Sequence, residues 1–158
     1  KMYEGGMEIL SFGLEHADNT VLRKSGKGLA TVEKAEETVK ATHKVGIKPS
    51  GYFILNLPGA TPKTARKTID WAYSDLELFK ADFYPLVALP GTTLWNFGEQ
   101  LGLEVKKEYG FWQKGKVRTM PRNVKNPNFT EEELDELLQY GADLWKGVQS
   151  EAKTEYNT

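Results

Sequence analysis

Apolar and polar residues alternate in two rhythms along this chain, and the rhythms trade places in order. The run "MEILSFGLE" is mostly apolar with a polar finish, which predicts a strand over Met7 to Leu14. "TVEKAEETVKATHKVG" then switches to helical spacing. Thr31 is placed to cap it, Ala35, Thr38, Val39, Thr42 and Val45 form its apolar stripe, and Gly46 ends it. "IKPSGYFILNL" returns to strand character, rich in aromatic and branched residues, and closes on Pro58-Gly59. Thr61 and Pro62 open the next helix, whose inner face is Ala65, Thr68, Ile69, Ala72, Tyr73 and Leu76. "ADFYPLVALPG" predicts a third strand and "TTLWNFGEQLG" a short third helix.

Strand and helix in regular succession, with strands that are almost continuously apolar, imply a parallel sheet covered by helices. Right-handed crossovers make that either a doubly wound sheet or an arc of a βα barrel. Beyond Gly102 the pattern breaks. "EVKKEYGFWQKGKVRTMPRNVKNPN" is polar, spotted with aromatics and without a period, and reads as a surface excursion or lid. A last helix is announced by Phe129-Thr130-Glu131-Glu132-Glu133-Leu134. There Thr130 and Glu133 form a capping box, Phe129 staples onto Leu134, and Leu137, Leu138, Leu144, Trp145 and Val148 supply the stripe. The final "SEAKTEYNT" reads as frayed, and "KMYEGG" reads as the end of a helix stopped by its glycines. An opening at Lys1 leads us to expect a piece of a longer protein, divided into a βα region over residues 1–103 and an extension over 104–158.

Composition narrows the function. The 158 residues suffice for one core, and 21 basic against 22 acidic side chains leave a net charge of -1, so no nucleic-acid partner is indicated. No apolar stretch approaches the ~20 residues of a membrane helix, and no signal peptide is recognisable, so a cytoplasmic location is the expectation. Cysteine is absent, which excludes disulfides, thiolate metal sites and cysteine nucleophiles within the chain.

Parallel βα architectures bind ligands at the carboxyl ends of their strands. Here those ends carry Gly13-Leu14-Glu15, Asn56-Leu57-Pro58-Gly59 and Leu89-Pro90-Gly91-Thr92. A carboxylate at Glu15 suits ribose hydroxyls or an ammonium group, although an ion pair with Lys27 or Arg23 is the plainer account. "RKSGKG" has room to cradle an anion, yet it lacks phosphate-loop spacing and reads equally as a solvated turn. His16 fits a loop position and His43 a solvated helix face. Tyr109, Phe111 and Trp112 either close over a substrate or pin the long loop to the body. No catalytic triad order, zinc spacing or calcium loop is present, so no catalytic or metal residue is assigned.

"MEILSFGLEHADNTVLRKSGKGLATVEKAEETVKATHKVGIKPSGYFILNLPGATPKTARKTIDWA", followed by "ADFYPLVALPGTTLW", resembles the second half of the radical S-adenosylmethionine core. The likeness is greatest to the subgroup with an upstream cobalamin-binding domain, which includes the anaerobic magnesium-protoporphyrin monomethyl ester oxidative cyclase. That subgroup carries Gly-x-Glu-Ser after strand four, Lys-Gly soon after, Gly-Leu-Pro-Gly-Glu-Thr after strand five and Pro-Gly-Thr after strand six. The tail "FTEEELDELLQYGADLW" is similar to the helix that commonly closes such proteins. Asn56 stands where the family has glycine, Ala60 where it has the glutamate of Gly-Glu-Thr, and Met7 where a small residue or cysteine is usual.

The resemblance implies an α/β fold: a partial, TIM-like βα barrel fragment of three parallel strands with covering helices, plus a C-terminal helix. It implies S-adenosylmethionine and a 4Fe-4S cluster as cofactors of the parent protein, with cobalamin a further candidate. Glu15 would contact the ribose or methionyl part of S-adenosylmethionine and Lys27 its carboxylate. Tyr52 and Asn56 would line the barrel beneath, and the backbone at Leu57 and Leu89 would meet the adenine. The "NLPG" turn is then expected to bare backbone donors and acceptors to a flat adenine edge.

The parent would cleave S-adenosylmethionine reductively for radical oxidoreduction or for methyl transfer through cobalamin. This chain has no thiolate to hold a cluster and is expected to be inert alone. Its partners would be a small-molecule cofactor and substrate, with no membrane. Two other readings stay open: the half-barrel of another enzyme, acting on a phosphorylated small molecule, and a degenerate interaction module without catalysis. An uncovered first strand and inner face predict self-association into a homo-oligomer.

Overall fold

The structure is a computed structural model that describes residues 3–107 and 122–155, with side chains up to Val148 in the last helix. Three parallel strands form the main sheet in the order β1 (Ile9–Glu15), β2 (Lys48–Ile54) and β3 (Lys80–Tyr84). The crossover from β1 to β2 carries α1 (Asn19–Lys24) and α2 (Val32–Lys44), and that from β2 to β3 carries α3 (Pro62–Asp70). After β3 come α4 (Thr93–Phe97) with a 3-10 turn over Gly98–Leu101, then a two-residue ribbon of β4 (Glu104–Val105) and β5 (Val124–Lys125). The long α5 (Glu131–Glu155) closes the chain. This is the expected α/β arc with its closing helix.

Local chemistry explains the helix starts. Thr31 Oγ1 accepts from Lys34 N–H, and Thr61 and Thr64 satisfy one another's backbone as a capping box with Pro62 in the first turn. At α5, Glu133 N–H donates to Thr130 Oγ1 at 3.1 Å and Thr130 N–H donates to Glu133 Oε2 at 2.9 Å. Phe129 and Leu134 are both buried in one cluster, as a staple requires. α1 has no counterpart in the apolar pattern. Its signal is Asp18, whose Oδ1 accepts from the N–H groups of Thr20 and Val21.

Several expectations need correction. β1 runs to Glu15 rather than Leu14, because a register irregularity between Gly13 and Glu15 lets the last residue still pair, with Phe53. The helix expected to run from Thr61 to Leu76 does not continue uniformly: after Asp70 α3 widens into a π turn over Trp71–Asp75, with Leu76 N–H reaching Trp71 O. On α2 only Val39 and Thr42 of the expected stripe are buried. Thr38 and Val45 are exposed in a shallow groove that they share with Tyr3, Leu10, Phe12 and Ile47, beside the edge strand β1. The stripe is continuous in sequence, but among the described residues nothing lies over that side of it. β3 ends at Tyr84, not at Gly91, since Pro85 brings no N–H to the ladder. α5 carries on through Glu155, where a frayed end was expected. The stretch 108–121 lies outside the described residues, and with it Tyr109, Phe111, Trp112 and their expected role in closing over a substrate or pinning the loop.

The core is continuous across residue 103. Leu55, Leu57, Ile69, Leu86 and Ala88 pack with Leu103, Val124, Phe129, Leu134 and Leu137. A second cluster behind β1 and β2 joins Leu14, Val39, Phe53, Trp71, Leu76, Leu78 and Ala81. Among the described residues, no helix is long and apolar enough to cross a membrane.

Candidate cofactor rim and open sheet face

Alternation along the strands sorts their residues onto two faces. The covered face carries Phe12, Gly51, Phe53, Ala81 and Phe83, and the Phe53 and Phe83 rings stack at 5.2 Å. The opposite face carries Gly13, Tyr52, Ile54, Lys80, Asp82 and Tyr84, with Tyr52 and Tyr84 each 43 % exposed. Lys80 Nζ meets Asp82 Oδ2 at 2.8 Å, and the two tyrosine rings lie 6.3 Å apart. Burial, then the neighbouring Asp82 charge, raises the Tyr84 phenol above its ordinary pKa. A parallel sheet face packed by protein is normally aliphatic. This one is polar and aromatic, the composition of a wall facing solvent or ligand.

At the carboxyl end of that face the backbone turns abruptly. Glu15 adopts φ 68, a left-handed conformation costly for a residue with a Cβ. The turn folds its carboxylate back over the open face: a Cβ added at Gly13 would lie 3.2 Å from Glu15 Oε1. Lys27 Nζ donates to the same oxygen at 3.0 Å, with the two side chains 53 % and 16 % exposed respectively. The ion pair named as the plainer account of Glu15 is therefore present. It sits at the rim, where Glu15 ends β1 beside the Gly13–Tyr52 pair.

The other rim residues are arranged differently from the sequence expectation. Leu57-Pro58-Gly59-Ala60 is a tight turn in which Ala60 N–H donates to Leu57 O at 2.9 Å, with Gly59 at φ 79, the residue type that a type II turn needs there. This accounts for the kinked turn after the strand. It does not leave the backbone bare. Leu57 O also accepts from Asn126 Nδ2 at 2.8 Å, and Ala60 O accepts from Asn128 Nδ2 at 2.9 Å. Asn56 is buried instead of lining the lumen, and its Oδ1 takes the N–H of Leu86 at 2.6 Å. A family glycine could not make that bond. Leu89 lies beyond the strand with an exposed side chain, and its carbonyl accepts from the N–H and hydroxyl of Thr92 at 3.1 and 2.7 Å.

The histidines also differ from expectation. His43, read as solvated, puts Nε2 3.2 Å from Leu76 O and so ties α2 to the π turn. His16 is no surface loop residue: it is fully buried, and neither ring nitrogen has a hydrogen-bond partner in the structure. Desolvation lowers its pKa to about 4, against the opposing pull of Asp18 and with a smaller push from Lys67. It is thus neutral near pH 7, one residue after Glu15 in the chain. Asp82, Tyr84 and His16 escaped sequence reasoning as site neighbours. The period-two pattern of "KADFY" does place Asp82 and Tyr84 on one face, whereas nothing in the sequence marks His16 as buried.

These observations meet the known proteins at one point. Residues 1–72 match the model of the Radical SAM superfamily. The chain is 31 % identical over 138 residues to the uncharacterized methyltransferase PH0819 of Pyrococcus horikoshii, covering 87 % of this chain and 28 % of that protein. It is 32 % identical over 123 residues to the uncharacterized protein MJ0486 of Methanocaldococcus jannaschii, covering 76 % of this chain and 33 % of the relative. The chain thus spans no more than a third of either relative. Among solved structures, the fold is similar to archaeal Elp3 of Methanocaldococcus infernus, with TM-score 0.56 and 19 % identity over 63 % of this chain and 24 % of that one. It is also similar to the radical S-adenosylmethionine methyltransferase TsrM of Kitasatospora setae, a structure with cobalamin and a 4Fe-4S cluster bound. That likeness has TM-score 0.54 and 24 % identity over 69 % of this chain and 23 % of TsrM. The α/β arc of three parallel strands is therefore similar in fold to these partial-barrel structures. The narrower likeness to the magnesium-protoporphyrin cyclase has no counterpart among these relatives.

Proposed function

We propose that the chain is the C-terminal portion of the catalytic core of a radical S-adenosylmethionine enzyme, with the cofactor at the rim of β1–β3 and the substrate against the open sheet face. The observation that carries this reading is the Glu15–Lys27 pair, held by a strained backbone at the strand end inside the family-matching residues. Its two charges fit S-adenosylmethionine, which presents ribose hydroxyls to a carboxylate and its own carboxylate to an ammonium. The residues do not fit an iron-sulfur cluster, because the chain has no cysteine. Cluster ligands, and any cobalamin, belong to the rest of the parent protein. A bound cluster supplies the electron for cleavage of the sulfonium, while this chain's residues bind, orient and shield. Methyl transfer is favoured over oxidoreduction, since the relative sharing 87 % of this chain is named a methyltransferase.

The test is anaerobic turnover of the full-length protein carrying this chain, with its cluster reconstituted, followed by product analysis. Methyl transfer predicts S-adenosylhomocysteine, and oxidoreduction predicts 5′-deoxyadenosine without it. Absence of both products, together with no binding of S-adenosylmethionine, would overturn the proposal.

A further inference from the structure

The segment just before α5 reaches the rim through its asparagines. Asn123 is buried, with Oδ1 accepting from Ala88 N–H at 3.0 Å and Nδ2 donating to Ala88 O at 2.8 Å. Both backbone groups of one residue are thus held as a neighbouring strand would hold them, at a place where no strand of the described residues lies alongside. Three residues on, buried Asn126 points Nδ2 at the carbonyls of Leu57, Asn56 and Ala60 at 2.8, 3.4 and 3.4 Å, while its Oδ1 accepts from Asn128 N–H at 3.0 Å. Asn128 Nδ2 adds a bond to Ala60 O at 2.9 Å. Asn56 completes the set from the other side by accepting from Leu86 N–H.

We infer that Asn123, Asn126 and Asn128 are positioning residues for cofactor binding, an amide clamp by which the C-terminal extension sets the loops after β2 and β3. Resting on the cofactor reading above, this makes the extension part of the S-adenosylmethionine site and not an appendage to it. The physical reason lies in the loops themselves. Both contain prolines, neither continues the sheet ladder, and buried carbonyls there need donors from elsewhere. Primary amides suit this task, since each offers a donor pair and an acceptor in one plane and can satisfy both sides of a backbone unit. With the amides removed, buried carbonyls of these loops lose donors, and the loops after β2 and β3 lose their preset geometry.

The experiment is calorimetric titration of S-adenosylmethionine into the full-length protein. Three variants are compared: Asn126→Ala, Asn128→Ala and a core control, Val39→Ala. Val39 sits on α2 in the other core cluster, away from the clamp. Asn126→Ala is expected to weaken binding about tenfold, and exposed Asn128→Ala, which removes one bond, roughly threefold. Val39→Ala should lower the unfolding midpoint with an unchanged dissociation constant. Wild-type affinity in both asparagine variants overturns the clamp alone. So does a loss of affinity in Val39→Ala that matches Asn126→Ala, because a merely structural role predicts that equality. Failure of the wild-type protein to bind S-adenosylmethionine overturns the clamp and the cofactor reading together.

Discussion

The two faces of the β1–β3 sheet are built from the same strands and obey different rules. On the covered face Phe12, Phe53 and Phe83 pack with residues of α2 and the π turn, Gly141 of α5 lies against Phe83, and Gly51 is hemmed in so that a Cβ would lie 2.8 Å from both Leu78 and Phe53. On the open face, Gly13 sits beneath a carboxylate, and Tyr52, Lys80, Asp82 and Tyr84 keep contact with solvent. The first face stabilises the fold through area removed from water. The second carries charge and hydrogen bonding in contact with solvent, where little stability is at stake. A residue and its immediate sequence neighbour can therefore respond to substitution in opposite ways.

The largest contrast is expected from adjacent aromatics on β2. Phe53→Ala should cost about 3–5 kcal/mol by opening a cavity between stacked rings. Tyr52→Ala, on the half-exposed side, should cost under about 1 kcal/mol. Urea denaturation of the two variants measures the difference, and comparable losses would dissolve the distinction between the faces.

Next comes pH. The folded state holds His16 at a pKa of about 4, below its ordinary 6.5, so the unfolded chain binds more protons between those values. Stability should then fall as pH drops from about 6.5 to about 4 and level off below, by of the order of 3 kcal/mol in total. Asp18 acts in a separate window. Burial raises its pKa, but the Val21 and Thr20 N–H bonds outweigh that and leave it depressed, so its contribution is lost only at more acid pH. From pH 7 to 4 the unfolding midpoint of wild type should fall relative to that of His16→Leu, which lacks this titration. A wild-type profile flat from pH 7 to 4 would refute the buried neutral state.

Glycines offer a third comparison. Gly51→Ala, facing Leu78 and Phe53, should destabilise by about 1–3 kcal/mol through overpacking. Gly13→Ala meets only the far end of the Glu15 side chain and should change stability far less, while displacing the carboxylate from its place over the open face. Thermal melts of both, with S-adenosylmethionine titration of the Gly13 variant in the full-length protein, separate packing from site geometry.

The smallest effect on folding is expected at the rim. Glu15→Ala and Lys27→Ala break a partly exposed pair and should shift stability by less than about 1 kcal/mol. In the full-length protein each should still weaken S-adenosylmethionine binding by roughly ten- to a hundredfold. Unchanged affinity in both would leave the pair a surface ion pair and nothing more. Sedimentation at tens of micromolar tests the expected self-association of this chain by β1 edge pairing, and a clean monomer would exclude it.

The sequence by itself determined the elements whose causes are local. The caps at Thr31, Thr61 and Thr130, the Pro58-Gly59 turn and the parallel succession of strands follow from the preferences of a few neighbouring residues, and the structure has them where they were read. The ion pair of Glu15 with Lys27, read as one of two candidate pairings, was also legible, since only the short α1 and its flanking turns separate them. Tertiary structure alone decided what depends on residues far apart in the chain. Asn56, read as a lumen residue, is buried because Leu86 needs its carbonyl oxygen. Leu57 was read as offering bare backbone, yet its carbonyl is taken by Asn126, 69 positions away. His16, read as a loop residue, is buried and unpartnered in the folded chain. Periodicity and propensity report on a residue's neighbours along the chain. The partner of a buried amide or carbonyl is set by which distant segments the core brings together, and no local pattern carries that information.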